Sequence, residues 1–146
     1  MFFILSRVME VNVSSIISTR VHIMFAFLCP KNYAMTMFEY KCNEWDLFQH
    51  HEWLLDHYFK HSGVSIDDAE KREILDFLKT RDGEQIKEAF LCPINRDATR
   101  KQHDCNDDYF LKDHNYNLLI RHYIEKGGAE AFAGKRKEFL CKPVGV

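Results

Sequence analysis

Apolar positions recur at helical spacing in two stretches of the chain. Phe48, His51, Leu54, Leu55, Tyr58 and His61 follow a three-and-four period, and Gly63 closes the helix they predict. Phe110, His114, Leu118, Leu119 and His122 repeat that spacing and end at Gly127-Gly128. Between them, Ser65-Ile66-Asp67-Asp68-Ala69-Glu70 has the composition of a helix start, with carboxylates at the positive end of the helix dipole. Ile74, Leu75, Phe77 and Leu78 form the apolar stripe of that helix, Asp82-Gly83 breaks it, and a shorter helix from Glu84 to Phe90 follows. Around Cys29-Pro30 and Cys92-Pro93 the pattern is irregular, and Pro with Asn predicts turns or short hairpins there. The expected fold is α-rich, a small α+β chain with brief extended segments at the two Cys-Pro dipeptides.

The two stretches belong to a duplication. Phe27-Leu28-Cys29-Pro30-Lys31-Asn32 returns as Phe90-Leu91-Cys92-Pro93-Ile94-Asn95, and each is followed after twelve residues by a second cysteine, in Cys42-Asn43 and Cys105-Asn106. Further on, Leu54-Leu55-Asp56-His57-Tyr58 is echoed around Leu118-Leu119-Ile120-Arg121-His122-Tyr123. Self-similarity of this kind marks a repeated structural unit. The chain therefore divides into an apolar N-terminal segment (1–26), repeat 1 (27–63), a helical spacer (64–89), repeat 2 (90–128) and a tail (129–146). In that tail Phe139-Leu140-Cys141-Lys142-Pro143 begins a third echo.

Composition narrows the class. With 146 residues the chain holds one ordinary domain or two small ones, and 46% apolar with 14% aromatic residues is enough for a core. A net charge of −2 offers no chain-wide attraction for nucleic acid or an anionic membrane. No charge-free apolar run approaches the ~20 residues that span a bilayer, so no membrane association is expected. Arg7, Glu10, Arg20 and His22 interrupt the first apolar stretch, unlike a secretory leader. Five cysteines would leave one thiol over from any disulfide framework. The expected setting is a reducing compartment, nuclear or cytoplasmic.

Eight histidines beside those cysteines point to a metal. Zinc takes four ligands tetrahedrally and accepts thiolate and imidazole alike. His57 and His61 are four apart, on one helix face, so both can reach a single ion. The expected sites are Cys29, Cys42, His57 and His61 in repeat 1, and Cys92, Cys105 and His122 in repeat 2 with His114 or an outside group as fourth ligand. The run Phe-x-Cys-Pro, twelve residues to the next Cys, then Leu-x-x-His and a second His resembles a Cys2His2 zinc finger. It is similar to the variant with widely spaced cysteines found in fungal proteins. The resemblance covers about half the chain and implies a nucleic-acid or protein-binding role, with transcriptional regulation as the setting. Repeat 2 departs from the pattern at Lys126, where the last histidine belongs.

Read as a finger, repeat 1 would present His50, Trp53 and Asp56 to bases, and repeat 2 Asn115, Leu118 and Arg121. The second set suits DNA better, since Asn pairs with adenine and Arg with guanine, and Arg96, Arg100 and Lys101 could meet phosphates. Residues 29–61 carry three lysines and no arginine against five acids, so repeat 1 suits a protein partner instead. A metal-free helical protein that mediates protein contacts is the alternative. A Cys/His hydrolase is the third reading. His51-Glu52-Trp53-Leu54-Leu55 lacks the second histidine of a metalloprotease motif, and no phosphate loop, nucleophile elbow or small-molecule site is evident.

Overall fold

Pro30 and Pro93 each open a helix, directly after a Cys that is still extended. In the computed structural model, which describes residues 19–112, 115–132 and 134, the two Cys-Pro dipeptides are therefore helix starts. Proline suits the first helical position because its missing N–H would have had no partner there. The hairpin segments expected at these dipeptides do not form, and the described residues contain helices and no strand. The N-terminal segment before residue 19, His114 and the third echo at Cys141 lie outside the described residues.

Nine helices follow one another among the described residues. They are α1 (19–28), α2 (Pro30–Tyr40), α3 (Glu44–Gln49), α4 (Glu52–His61), α5 (Asp68–Leu78), α6 (Arg81–Leu91), α7 (Pro93–His103), α8 (Asp107–Leu111) and α9 (Asn117–Glu125), with residues 129–132 helical again after them. The duplication is longer than the sequence echo suggests: α1 to α4 correspond in order to α6 to α9. Leu28 ends α1 as Leu91 ends α6, Lys41 and Asp104 end the next helices with φ of 51° and 49°, and Gly63 and Gly128 take positive φ after the last. Asn43 and Asn106 cap α3 and α8 by accepting from the backbone N–H of Asp46 (2.9 Å) and Tyr109 (3.1 Å). Two extra residues between α8 and α9 account for Cys29 and Cys92 being 63 apart while His57 and His122 are 65 apart.

Two of the expected helix boundaries move. The predicted helix from Phe48 to His61 is two helices, α3 and α4, parted at His50 and His51. The spacer helix forms as predicted, capped by Asp67, whose side chain accepts from the Glu70 N–H at 2.8 Å. The break after it falls at Lys79-Thr80, and Gly83 sits inside α6. Glycine is needed at that position because a Cβ would lie 2.7 Å from the Leu78 Cα at the end of α5.

Both copies bury the same residues. Ile23, Ala26, Phe27 and Leu28 of α1 match Ile86, Ala89, Phe90 and Leu91 of α6, while Leu47 and Leu54 match Phe110 and Leu119. Each large apolar side chain contributes about 1.5–3 kcal/mol on burial, so the shared pattern specifies the shared fold. The spacer packs on α6, and α6 in turn packs on α7, α9 and α3.

Arg96 ties the copies together. Its Nη2 donates to the Phe27 carbonyl at the end of α1 (3.1 Å) and to the Phe90 carbonyl at the end of α6 (2.7 Å). The same guanidinium lies 5.1 Å from the Tyr33 ring centroid. Tyr33 and Arg96 hold the same place in their repeats, four residues beyond the repeated cysteine, so equivalent positions meet at the joint.

Candidate functional site

A Cys-Pro junction creates a problem that each repeat solves with an asparagine. Pro30 has no N–H to offer the Ala26 carbonyl one turn back, and Pro93 has none for Ala89. The Asn32 side-chain amide donates to Ala26 O (2.7 Å) and to Leu54 O of α4 (3.1 Å). The Asn95 amide donates to Ala89 O (3.0 Å) and Leu119 O of α9 (3.1 Å). Thr36 and Thr99 complete the motif one turn later, each hydroxyl donating to the asparagine's own carbonyl at 2.6 Å.

With both amide hydrogens committed, each asparagine Oδ1 faces a histidine. Asn32 Oδ1 is 2.8 Å from His57 Nδ1, and Asn95 Oδ1 is 2.8 Å from His122 Nδ1. A carbonyl oxygen only accepts, so Nδ1 carries a proton, and in the neutral ring Nε2 keeps its lone pair. His57 and His122 are both buried, and burial is the main cause that holds each below the usual histidine pKa. This Asn–His pair is common to both copies and belongs to the fold.

Around His57 the first copy adds more. His57 Nε2 lies 3.3 Å from Glu39 Oε2, and His61 Nε2 lies 3.8 Å from the same oxygen. The two imidazole centroids are 4.3 Å apart. Lys60 donates to the other carboxylate oxygen, Oε1, at 3.1 Å, and this hydrogen bond is the main cause that lowers the Glu39 pKa. Beside these groups opens a cavity of about 590 Å³, bordered by Cys29, Met35, Phe38 and Tyr58. In repeat 2, Gln102 stands at the position of Glu39 and Lys126 at that of His61.

Among the described residues, the four-ligand sites expected from the cysteines do not assemble. The twelve residues between Cys29 and Cys42 are not a loop: eleven of them form α2, roughly 16 Å long. Cys29 and Cys42 flank its two ends and cannot share an ion. Cys92 and Cys105 flank α7, also eleven residues, in the same way. Cys42 borders a separate cavity with Met37, Asn43 and Asp46. Cys92 is fully buried, and its Sγ accepts from the Asn95 N–H at 3.5 Å. Cys105 is half-buried at the foot of α8, its thiol pKa raised by burial. Among the described residues, Glu39, His57 and His61 are the group whose ligating atoms converge within 4.8 Å.

The expected nucleic-acid residues are variously placed. Arg96 is half-buried and engaged at the joint between the repeats. Arg100 pairs with Asp107 (2.9 Å) and Asp97 (3.6 Å), and exposed Lys101 lies 3.6 Å from Asp97. Asn115 sits in the turn before α9, and Arg121 is exposed on α9. Trp53 is half-buried, stacked between Tyr40 and His50 with ring centroids 4.8 and 4.4 Å away. No family model matches this chain, and no curated protein or solved structure matches it. No helix of the described residues is long and apolar enough to cross a membrane.

Sequence reasoning passed over Asn32, Asn95 and Glu39. The echo of Asn32 in Asn95 was visible, but an Asn after Pro reads as a turn residue. Asn32, Thr36 and Glu39 are spaced by four and three, which places them on one face only once α2 is known to be a helix.

Buried histidines also set a pH dependence. His22, His51 and His122 are each held below 6.5, with burial as the main cause. Glu70 opposes the shift at His22, and Glu52 and Glu84 oppose it at His51, where Lys87 and His50 reinforce it. Lys126 and His103 reinforce it at His122, and Glu125 opposes it. The unfolded chain takes up these protons near 6.5 and the folded chain only at lower pH, so acid favours unfolding. Stability is therefore full above that value and declines as pH falls below it. The Tm is expected to be lower at pH 5 than at pH 7.5, and an unchanged Tm would contradict the assignment of buried neutral imidazoles.

Proposed function

We propose that this chain is a helical-repeat module that binds another protein, and that repeat 1 supplies the contact face. The supporting observation is a contrast between equivalent positions. Phe25, Met35, Phe38 and Tyr40 are all large and exposed, with Phe38 81% and Met35 47% accessible. Their counterparts in repeat 2 are Glu88, Ala98, Lys101 and His103. At these four positions repeat 1 thus carries apolar residues on its surface where repeat 2 carries polar, charged or small ones, while repeat 2 exposes Tyr109 and Ile124 elsewhere. Met35 and Phe38 border one cavity with Tyr58, on which Phe25 stacks, and exposed aromatic and methionine side chains are the composition of a protein interface. The acidic pairing of Arg100 and Lys101, and the engagement of Arg96 at the joint, leave less free positive charge for phosphates.

The test borrows residues from repeat 2. Met35→Ala with Phe38→Lys removes the apolar face at exposed positions, so the Tm should hold. Proteins crosslinked to the wild-type chain in cells are expected to be lost from the double variant. Identical recovery from both would refute the contact face. An affinity for duplex DNA that falls steeply with salt and disappears in Arg121→Ala would support the nucleic-acid reading instead.

A further inference from the structure

We propose that Glu39, His57 and His61 form a transition-metal site, best suited to zinc, which repeat 1 possesses and repeat 2 lacks. The donor set is two imidazoles and one carboxylate, which fits zinc and poorly suits calcium or magnesium, whose ligands are oxygens. Ligand atoms about 2.1 Å from a tetrahedral ion stand ~3.4 Å apart. The Nε2 to Oε2 separations of 3.3 and 3.8 Å already lie near that value. His61 and Glu39 both lie at the surface, where their side chains can rotate to admit the ion.

The surroundings also favour a ligand role. Asn32 holds His57 Nδ1 at 2.8 Å and is itself fixed by two backbone carbonyls, so the ring is oriented with Nε2 toward Glu39. A ligating histidine whose second nitrogen donates to a carbonyl is the common arrangement in metal sites. His57 and His61 come from one helix at a spacing of four, and Lys60 occupies Oε1, leaving Oε2 toward the rings. Lys60 opposes the ion by charge, and its flexible, exposed chain can swing away. Three protein ligands leave a fourth position, which water fills in the isolated protein.

Repeat 2 is an internal control. It keeps the Asn95–His122 pair with the same 2.8 Å geometry but has Gln102 and Lys126 where the other two ligands would be. The Asn–His pair alone therefore serves the fold, and Glu39 with His61 marks the added site.

Calorimetric titration of the full chain with zinc chloride at pH 7.5 should give roughly one ion per chain, and cobalt(II) should give a tetrahedral visible spectrum without thiolate charge-transfer bands. Glu39→Gln with His61→Lys, the residues of repeat 2, should weaken zinc binding by about 100-fold or more, while the metal-free Tm stays the same. Both substitutions are at exposed or near-exposed positions, so folding is not in question. Binding of less than ~0.5 zinc per chain overturns the site. So does zinc affinity retained in the double variant, and so do thiolate bands in the cobalt spectrum, which would move the metal to the cysteines.

Discussion

Asn95→Ala is expected to lower the unfolding free energy by about 3 kcal/mol or more, with a fall in Tm of roughly 10 °C. Asn95 is completely buried. Its amide serves Ala89 O at 3.0 Å and Leu119 O at 3.1 Å, and its Oδ1 accepts from His122 at 2.8 Å. Alanine removes all three bonds and leaves their partners in place. The Ala89 carbonyl suffers most, because Pro93 cannot supply the N–H that a continuing helix would. A buried group stranded in this way costs about 1–3 kcal/mol, whereas an ordinary surface substitution stays within about 0.5. Urea denaturation of the variant measures the loss directly, and a change below about 1 kcal/mol would show that the asparagine does not carry these bonds. Asn32→Ala should behave alike, since its geometry is the same within a few tenths of an ångström.

The second large effect is expected at Arg96. Arg96→Leu should cost about 2–4 kcal/mol, because hydrogen bonds from a charged donor are worth about 1.5–3 and the contact over Tyr33 adds to them. Screening by solvent reduces the sum, since the side chain is only half-buried. The more informative outcome is loss of coupling. Phe27 O and Phe90 O belong to different repeats, and one guanidinium holds both. Both tryptophans, Trp45 and Trp53, lie in repeat 1, so fluorescence follows that copy while far-UV circular dichroism follows every helix. The two transitions should coincide in the wild type and separate in Arg96→Leu. Coincident transitions in the variant would mean that the apolar contacts around α6 couple the repeats without Arg96. Arg96→Lys should recover little, since a single ammonium cannot span both carbonyls and also lie flat over Tyr33.

These two sites show where sequence reasoning reached and where it stopped. The periodicity from Ile74 to Leu78, the acidic start at Asp67 and the shared face of His57 and His61 are local signals, and the helices there follow from them. The duplication was legible because Phe-Leu-Cys-Pro recurs, although its true unit begins a helix earlier at α1 and α6. The role of the cysteines was not legible. Pro30 and Pro93 are equally compatible with a turn and with the first residue of a helix. Read as turns, they make the twelve residues beyond a loop able to fold back and bring two thiols to one ion. As helices they hold those thiols apart.

By itself the sequence determined that the chain is helix-rich and duplicated, and that His57 and His61 lie together, because each of these rests on spacing within a few turns. Only the tertiary structure decided what meets what across longer separations. Asn32 finds its partners in Ala26, Leu54 and His57, and Glu39 reaches histidines 18 and 22 residues away. Those meetings depend on α2 packing against α4, which is driven by the burial of residues such as Tyr33, Leu54 and Leu55. Burial of that kind has no direction of its own, so the pattern of apolar residues announces a packed helix pair but not which polar side chains it will bring face to face.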